Sequence, residues 1–223
     1  PTGEVPLCGH ATIASFVALR NLGRLQKTEY IIETAAGRLK VWINDDGLIF
    51  MEQNKPSFFD IISNERLVRC FHPLSLDERF PVRIVSTGLR DIIMPISAPN
   101  VLETMVPDFN EISILSKEMK CIGIHCFALT ESDIDNASTA VCRNFAPLYG
   151  INEEAATGTS NCALACYLHN LGIRPQRYIF EQGHKLSSVS RIIVELKTDS
   201  DILGVRVGGD GIIEGILDKD IIS

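Results

Sequence analysis

Residues 4–23, EVPLCGHATIASFVALRNLG, have a counterpart in residues 153–172, EEAATGTSNCALACYLHNLG. Two unrelated amphipathic helices that both end in Leu-Gly would explain why the last residues of the two stretches match. They would not explain a series of matches that continues in the same order along both stretches. The series indicates an internal repeat, and therefore two similar halves. At a constant offset it pairs Glu4 with Glu153, Gly9 with Gly158, Ala14 with Ala163, Leu19 with Leu168, and Asn21, Leu22 and Gly23 with Asn170, Leu171 and Gly172. After a slip of one position, YIIETAAG from Tyr30 lies over YIFEQG from Tyr178.

Each copy of the repeat reads the same way locally. A Gly-containing turn leads into an Ala- and Leu-rich helix, over residues 11–22 and 160–171, and each helix ends at a glycine in the position that follows a C-cap. Thr159 or Ser160 can cap the second helix at its N-terminus. A β-branched strand follows each helix, and most of the remaining chain reads as further strands. The sequence predicts an α+β protein of two pseudo-symmetric halves, each a β-sheet wrapped around a central helix.

The repeat also suggests where the halves divide. We expect residues 1–80 to form the first half and residues 81–223 the second, whose last strand could return to the first. A run of roughly 65 residues from Pro81 precedes the second Gly-containing turn, and almost nothing precedes the first. We therefore expect the native protein to be longer at its N-terminus by roughly 40 to 65 residues.

Composition excludes several classes of partner. The 223 residues carry a net charge of −7, and their Lys and Arg are scattered, so nucleic acid or an anionic membrane is a poor fit. No apolar run approaches the roughly 20 residues of a membrane span. Seven cysteines, an odd number without a CxxC pair, favour a reducing, cytoplasmic setting. The spacing of Cys162 and Cys166 would suit metal ligands, but we interpret both as buried in the helix core.

The two helix starts permit a definite chemistry. A helix N-terminus binds carboxylates and phosphates through its unpaired N–H groups and its partial positive charge. Two such ends facing one another across a cleft would hold a small anionic substrate from both sides, and Gly9 and Gly158 allow the backbone to approach it. Glu4 in one copy, and Glu153 with Glu154 in the other, could move protons. The alternative is that they are solvated loop carboxylates.

Two long motifs resemble those of a known family. TGEVPLCGHATIAS, residues 2–15, closely resembles the E-x-x-x-CGHAT signature of the phenazine-biosynthesis (PhzF-like) isomerases. CRNFAPLYGINEEAATGTSNCALACYL, residues 142–168, resembles their second signature, R-x-FAP-x-x-G-x-x-EDPATGSA. AAGRLKV, PVRIVSTGL and YIFEQG also look familiar, so the likeness runs along essentially the whole chain. It implies the diaminopimelate-epimerase-like fold, with a cleft between the two halves.

The resemblance also implies roles for individual residues. Glu4 takes the place of the catalytic acid/base, and His10 that of the histidine which positions the substrate and relays a proton. Glu154 replaces the family's Asp and Thr159 its Ser, and with Gly9 and Gly158 they form the expected substrate-binding set. SSVS, residues 187–190, stands where the family has Gly-Arg-Pro-Ser, which leaves the substrate open. The family likeness also suggests a homodimer.

A two-thiol epimerase of the same fold needs a cysteine at each helix start. Cys8 would be the first, but Ala155 and Ala156 occupy the place of the second. GVRVGGDG, residues 204–211, neither matches GxGxxG nor opens a helix, so we interpret it as a strand with a tight turn. The other histidines, His72, His125, His169 and His184, are interpreted as structural or surface residues.

The sequence therefore predicts an isomerase without cofactor or metal that moves a proton on a small carboxylate-bearing metabolite. Two alternatives stay open. One is an amino-acid racemase or epimerase that uses Glu4 with a carboxylate partner. The other is a catalytically idle protein that binds a small molecule, which the replacements at Glu154, Thr159 and residues 187–190 would suit.

Overall fold

The computed structural model describes residues 9–35, 37–130, 137–199 and 201–211. Glu4 and Cys8 lie outside them. The described residues form two units, 9–51 with 208–211 and 52–207. These units are defined by proximity in space, whereas a repeat is defined by correspondence in sequence. The division of the repeat into residues 1–80 and 81–223 therefore stays a prediction.

The first unit holds a helix and an antiparallel meander. Its elements are α1 (Gly9–Asn21), β1 (Glu29–Thr34), β2 (Gly37–Ile43) and most of β3 (Ile49–Gln53). β2 pairs antiparallel with both β1 and β3. The helix buries Phe16 and Val17, and the Phe16 ring meets Tyr30 edge to face at 5.5 Å between centroids. The predicted helix and the strand that follows it are both present.

The second unit contains the larger sheet. Its strands run in the order β14-β13-β12-β10-β9-β7-β6-β4, with β11 beside β10 and a separate short pair, β5 and β8. β10 with β12 and β7 with β9 are parallel pairs, whereas β4 with β6, β6 with β7, β9 with β10, β10 with β11 and β12 with β13 are antiparallel. The elements are β4 (Ser57–Ile61), α2 (Asn64–Leu67), β5 (Phe71–His72), β6 (Arg83–Ser86), β7 (Arg90–Pro95), α3 (Pro99–Thr104), β8 (Val106–Pro107), α4 (Phe109–Met119), β9 (Gly123–Leu129), β10 (Ala140–Ala146), β11 (Ile151–Glu154), α5 (Gly158–Asn170), β12 (Tyr178–Gln182), β13 (Ser190–Thr198) and β14 (Ile202–Gly209).

Helix α5 is the centre of the second unit. Every residue from Ser160 to Leu168 is buried, which is the pattern of a helix enclosed on all sides. It contacts β6, β7 and β13, and four strands separate β6 from β13 in the sheet. One helix can touch both only if the sheet curves around it, so the predicted sheet wrapped around a central helix is confirmed in this unit.

The ends of α1 and α5 preserve the repeat. The glycine after each helix has a positive φ, +67° at Gly23 and +89° at Gly172, which favours glycine over other residues. Each helix also ends with the 6→1 backbone hydrogen bond of a Schellman motif. These bonds run from Arg24 N–H to Leu19 O at 2.9 Å and from Ile173 N–H to Leu168 O at 3.0 Å.

The expected N-cap of α5 is wrong. The helix begins at Gly158, so Thr159 and Ser160 lie inside its first turn and Thr157 occupies the cap position without a side-chain capping bond. The reason lies in the competing partners. The hydroxyl of Thr157 donates to the Glu154 carboxylate and that of Ser160 to Asp91.

A second apolar layer covers the opposite face of this sheet. Leu102 of α3 and Ile112 and Leu115 of α4 pack with Ile124 and Phe145 of the central strands. None of the helices in the described part of the chain combines the length and the apolar character that a membrane crossing requires.

Helix α4 provides a stability prediction. Ser116 is fully buried and its hydroxyl has no hydrogen-bond partner. Ser116→Ala removes an unsatisfied polar group and favours the helix, so we expect the free energy of unfolding to rise by about 1 kcal/mol. Urea unfolding followed by far-UV circular dichroism measures it.

Ser113→Ala is the matched control on the same helix, because the Ser113 hydroxyl donates to Phe109 O at 2.8 Å. This control should gain less than Ser116→Ala. A loss of stability in Ser116→Ala would mean that its hydroxyl is satisfied in solution.

Candidate functional site

The start of α5 holds a carboxylate in a defined place. Strand β11 ends at Glu154, and the Thr157 hydroxyl donates to Glu154 Oε2 at 3.1 Å. Gln182, which is fully buried, donates from Nε2 to the Glu154 backbone oxygen at 2.7 Å and to Thr157 Oγ1 at 3.0 Å. The turn between β11 and α5 is therefore tied to β12, and it holds Glu154 beside the positive end of the helix.

Gly158 and Thr159 form the first turn of α5. A Cβ on Gly158 would lie 3.4 Å from Val207 Cγ1, at van der Waals contact, so the first turn of α5 faces β14 directly. The backbone oxygen of Thr159 accepts a hydrogen bond from Thr87 Oγ1 at 3.1 Å. The structure thus brings Glu154, Gly158 and Thr159, three of the expected substrate-binding residues, to one helix start.

Gly9 and His10 open α1 in the other unit. A Cβ on Gly9 would lie 3.4 Å from Met51 Cε, the same contact distance as at Gly158. His10 is exposed as the second residue of the helix. The roles expected for Gly9 and His10, and for Glu4 outside the described residues, stay predictions.

Glu153 is not a second acid at this helix start. Its two carboxylate oxygens accept from Arg143 Nε and Nη2, each at 2.8 Å, in a bidentate ion pair. Arg143 Nη1 also donates to the backbone oxygens of Leu102, at 3.1 Å, and Met105, at 2.7 Å. Adjacent residues of a strand point to opposite faces of the sheet. Glu153 therefore lies on the face covered by α3 and α4, and Glu154 lies on the face of α5.

Two buried titratable groups lie on the α5 face of the sheet. Burial raises the pKa of Asp91 from 3.8 to about 7, against a hydrogen bond from Ser160 that lowers it, and the nearby Glu154 raises it further. Burial lowers the pKa of His125 from 6.5 to about 4, although its hydrogen bond to Asn161 acts in the opposite sense. Both groups are therefore neutral between about pH 4 and pH 7.

Sequence reasoning missed the polar residues that surround α5, apart from interpreting His125 as structural or surface. Asp91 is the first residue of the segment DIIMPIS, and His125 lies within the apolar run CIGIHCFAL. A polar residue inside such a strand is the signal that could have identified a buried partner.

The described cysteines do not supply thiolate chemistry. All six are unpaired and buried, and burial raises the pKa of Cys162 well above its usual value, so its thiol stays neutral. The interpretation of Cys162 and Cys166 as core residues is confirmed. Within the described ranges, no three His, Cys, Asp or Glu side chains cluster as metal ligands would.

The Gly-rich stretch near residue 208 serves packing. β14 is a strand, as expected for GVRVGGDG. A Cβ on Gly208 would lie 2.5 Å from Phe50 Cδ1, which leaves no room for a larger residue.

Solved structures of isomerases and of PhzF proteins share this architecture. A phenazine biosynthesis protein of the PhzF family from Bacillus anthracis matches with a TM-score of 0.79 and 28% identity over 93% of this chain and 74% of its own. A hydroxyproline epimerase from Agrobacterium vitis matches in fold alone, with a TM-score of 0.54 and 12% identity over 92% of this chain and 63% of its own. The fold is therefore the α+β fold of the diaminopimelate-epimerase type.

The family follows from the sequence comparison. The phenazine biosynthesis-like protein family matches residues 1–215, and this chain belongs to it. An uncharacterized isomerase of Clostridium acetobutylicum is 33% identical over 96% of this chain and 74% of its own length. A trans-2,3-dihydro-3-hydroxyanthranilate isomerase of Pseudomonas chlororaphis is 24% identical over 96% of this chain and 75% of its own. Because these relatives are isomerases of the same family, the protein is an isomerase.

Proposed function

We propose that the protein is a cofactor-independent isomerase that moves a proton on a small carboxylate-bearing metabolite by glutamate-based acid/base catalysis. Membership of the family, with relatives named as isomerases, supports the reaction class. The observation that carries the proposal is the Glu154 carboxylate at the start of α5, which accepts a hydrogen bond from Thr157 Oγ1. Gln182 holds this turn by donating to Thr157 Oγ1 and to the Glu154 backbone oxygen.

The helix start suits a substrate with two kinds of polar group. The N–H groups at the start of α5 lack partners within the helix and can receive a substrate carboxylate. Glu154 accepts hydrogen bonds, so it complements an ammonium or hydroxyl group on the same molecule. An unsaturated amino or hydroxy carboxylate carries both features, and trans-2,3-dihydro-3-hydroxyanthranilate, the compound named for the relative from P. chlororaphis, is one such molecule.

The reaction requires one proton to change place. Glu4 removes a proton from a carbon next to the conjugated system, and the electron pair of that C–H bond moves into the π system. A different carbon then takes up a proton from Glu4 or through His10, so the double bond shifts and nothing is oxidised or reduced. Gly9, Glu154, Gly158 and Thr159 bind the substrate during the transfer.

Two further parts of the proposal concern the setting. We place the protein in the cytoplasm, because its odd number of cysteines fits a reducing compartment. We also propose a homodimer, which the family likeness favours and which light scattering in solution would test.

Solvent-deuterium incorporation tests the reaction. Small unsaturated amino and hydroxy carboxylates are incubated with the protein in D₂O and followed by proton NMR. We expect exchange at a single carbon, with migration of the double bond. Because a positioned general base contributes about 100-fold or more, Glu4→Gln should reduce the rate by at least that factor.

Glu65→Gln is the matched control, since Glu65 is an exposed carboxylate on α2. It should leave the exchange rate unchanged. Retained exchange in Glu4→Gln would overturn the role of Glu4. Inversion of configuration without migration of the double bond would identify a racemase. No exchange with any of these compounds would favour a binding protein.

A further inference from the structure

A row of buried polar side chains lies between α5 and the sheet of the second unit. Each of its members is at most 3% exposed, and together they join four strands to the helix. This polar row consists of Asp91 on β7, His125 on β9, Asn144 on β10, Gln182 on β12, and Ser160 and Asn161 on α5.

The partners of Asn161 fix the state of His125. Both hydrogens of Asn161 Nδ2 are used, one on Thr157 O and one on Gln182 Oε1, each at 2.9 Å. Its Oδ1 is therefore the acceptor that faces His125 Nε2 at 3.3 Å. His125 must carry its proton on Nε2, and its Nδ1 accepts from Asn144 Nδ2 at 3.2 Å.

The same direction continues to the candidate site. Gln182 Oε1 accepts from Asn161, so both hydrogens of Gln182 Nε2 are directed at the turn, one to Glu154 O and one to Thr157 Oγ1. The Thr157 oxygen already accepts this bond, and its own hydrogen goes to Glu154 Oε2. A chain of donors thus starts at Asn144 and ends on the Glu154 carboxylate.

The other branch of the polar row starts from the same amide. The second hydrogen of Asn144 Nδ2 goes to Ser160 Oγ at 3.2 Å, and the Ser160 hydroxyl donates to Asp91 Oδ2 at 2.9 Å. All six hydrogens of the three amides are therefore in use. Reversing any one amide would leave buried donors facing donors, so the arrangement has one direction.

Packing alone does not account for the polar row. Apolar side chains of the same shape fill a core at no greater cost than a buried polar network does. What the polar row adds is a fixed direction of hydrogen bonding that reaches one carboxylate.

We propose that the polar row positions the Glu154 carboxylate. Gln182 is the positioning residue, and His125 fixes the orientation of the Gln182 amide through Asn161. The inference rests on the proposed function, in which Glu154 contacts the substrate. It assigns to Gln182, Asn161 and His125 a role in the placement of that contact that the family motifs alone do not give.

A crystal structure of Gln182→Met tests the placement without any substrate. Met keeps the length and bulk of Gln but can neither donate to the turn nor accept from Asn161. We expect the Glu154 carboxylate to move by about 1 Å or more while the α5 backbone stays in place, a displacement large enough to weaken a substrate contact. An unchanged Glu154 carboxylate would overturn the proposal.

Thr157→Val is the second variant, in case Gln182→Met does not fold. It removes only the hydroxyl that donates to Glu154 and should displace the carboxylate in the same way. Thr157→Ser keeps that hydroxyl and should restore the parent position. Ser116→Ala, which also removes a buried hydroxyl but lies outside the polar row, should leave Glu154 where it is.

Exchange kinetics then separate a positioning role from a structural one. We expect Gln182→Met to lower kcat/KM for deuterium incorporation about 10-fold, and to add almost nothing in a Glu154→Gln background. Additive losses in the double variant would contradict the proposal. Failure of the proposed function would appear differently, as absence of exchange in the parent protein, and the position of Glu154 in the crystal would still decide the role of Gln182.

Nitrogen NMR of the histidines provides the last readout. His125 should show the neutral Nε2–H form at neutral pH in the parent protein. An Nδ1–H form would reverse the direction of donors and overturn the proposal.

Discussion

Replacement of Arg143 by Met lowers the free energy of unfolding by an expected 3–5 kcal/mol, about the cost of leaving one buried charge without its partner. The side chains of Arg143 and Glu153 are only 9% and 11% exposed. The substitution would leave the Glu153 carboxylate buried without its bidentate partner. It would also remove the donor to the backbone oxygens of Leu102 and Met105 at the end of α3. Urea unfolding followed by far-UV circular dichroism measures the loss.

A double-variant cycle separates the ion pair from the packing. Arg143→Met with Glu153→Leu leaves no orphan charge, so we expect this double variant to be more stable than Arg143→Met alone. Arg38→Met is the control for an exposed pair, because Arg38 and Glu33 are 71% and 81% exposed and 3.7 Å apart. It should cost less than about 0.5 kcal/mol. A loss in Arg143→Met as small as in the control would contradict the structural role of this pair.

The ion pair also explains part of the second family-like motif. Arg143 is the arginine of the R-x-FAP segment, and its guanidinium stacks over the Phe145 ring of the same segment at 4.9 Å. Through Glu153 it fixes β11 against β10, and β11 delivers Glu154 to α5. Arg143 therefore has a structural role here: it binds Glu153, the residue next to Glu154 of the candidate site.

The repeat in the sequence was enough to predict both helices, their C-terminal glycines and the strand that follows each helix. Periodicity and capping glycines are local signals, so they can be recognised in a single sequence. The repeat pairs Glu4 with Glu153, and only the family resemblance selected Glu154. Local signals could not decide between the two residues, because the choice depends on which face of β11 each side chain takes. That face is set by pairing with β10, whose register is irregular between Asn144 and Ala146.

The polar row lay beyond sequence reasoning for a related reason. Asp91, His125 and Gln182 come from three strands, and only the curvature of the sheet around α5 brings them together. Ser160 and Asn161 looked like ordinary residues of a helix start. The hydroxyl of Ser160 was expected to cap the helix, whereas in the structure it donates to Asp91 on the sheet, and the amide of Asn161 donates to Gln182 on the sheet.

Asp91→Asn is expected to make the protein more stable than the parent at pH 8 and to give no such gain at pH 4. In the folded protein the pKa of Asp91 is raised from 3.8 to about 7, mainly by burial. A raised carboxyl pKa contributes stability that is fully present below 3.8 and is lost as the pH rises through 7. The gap between the two values corresponds to about 4 kcal/mol, which is the expected growth of the difference between variant and parent from pH 4 to pH 8.

His125 opposes Asp91 in the same pH window. Its pKa is lowered from 6.5 to about 4, so its contribution is fully present above 6.5 and is lost as the pH falls through 4. Between pH 4 and 6.5 the two slopes have opposite signs and largely cancel in the parent. Each substitution should therefore reveal the slope that the other group gives to the curve of stability against pH. Asp91→Asn should lose stability as the pH falls, and His125→Gln should lose stability as the pH rises.

The measurement is the free energy of urea unfolding at intervals from pH 4 to pH 8 for the parent and both variants. Each substitution also changes hydrogen bonds at every pH, so the slopes rather than the absolute values decide the result. Curves for Asp91→Asn and the parent that run parallel would show that Asp91 is ionised in the folded protein across this range. Divergence of both variants from the parent in the predicted senses would show that the polar row holds a neutral carboxyl group and a neutral imidazole, because only then do the two slopes offset each other in the parent.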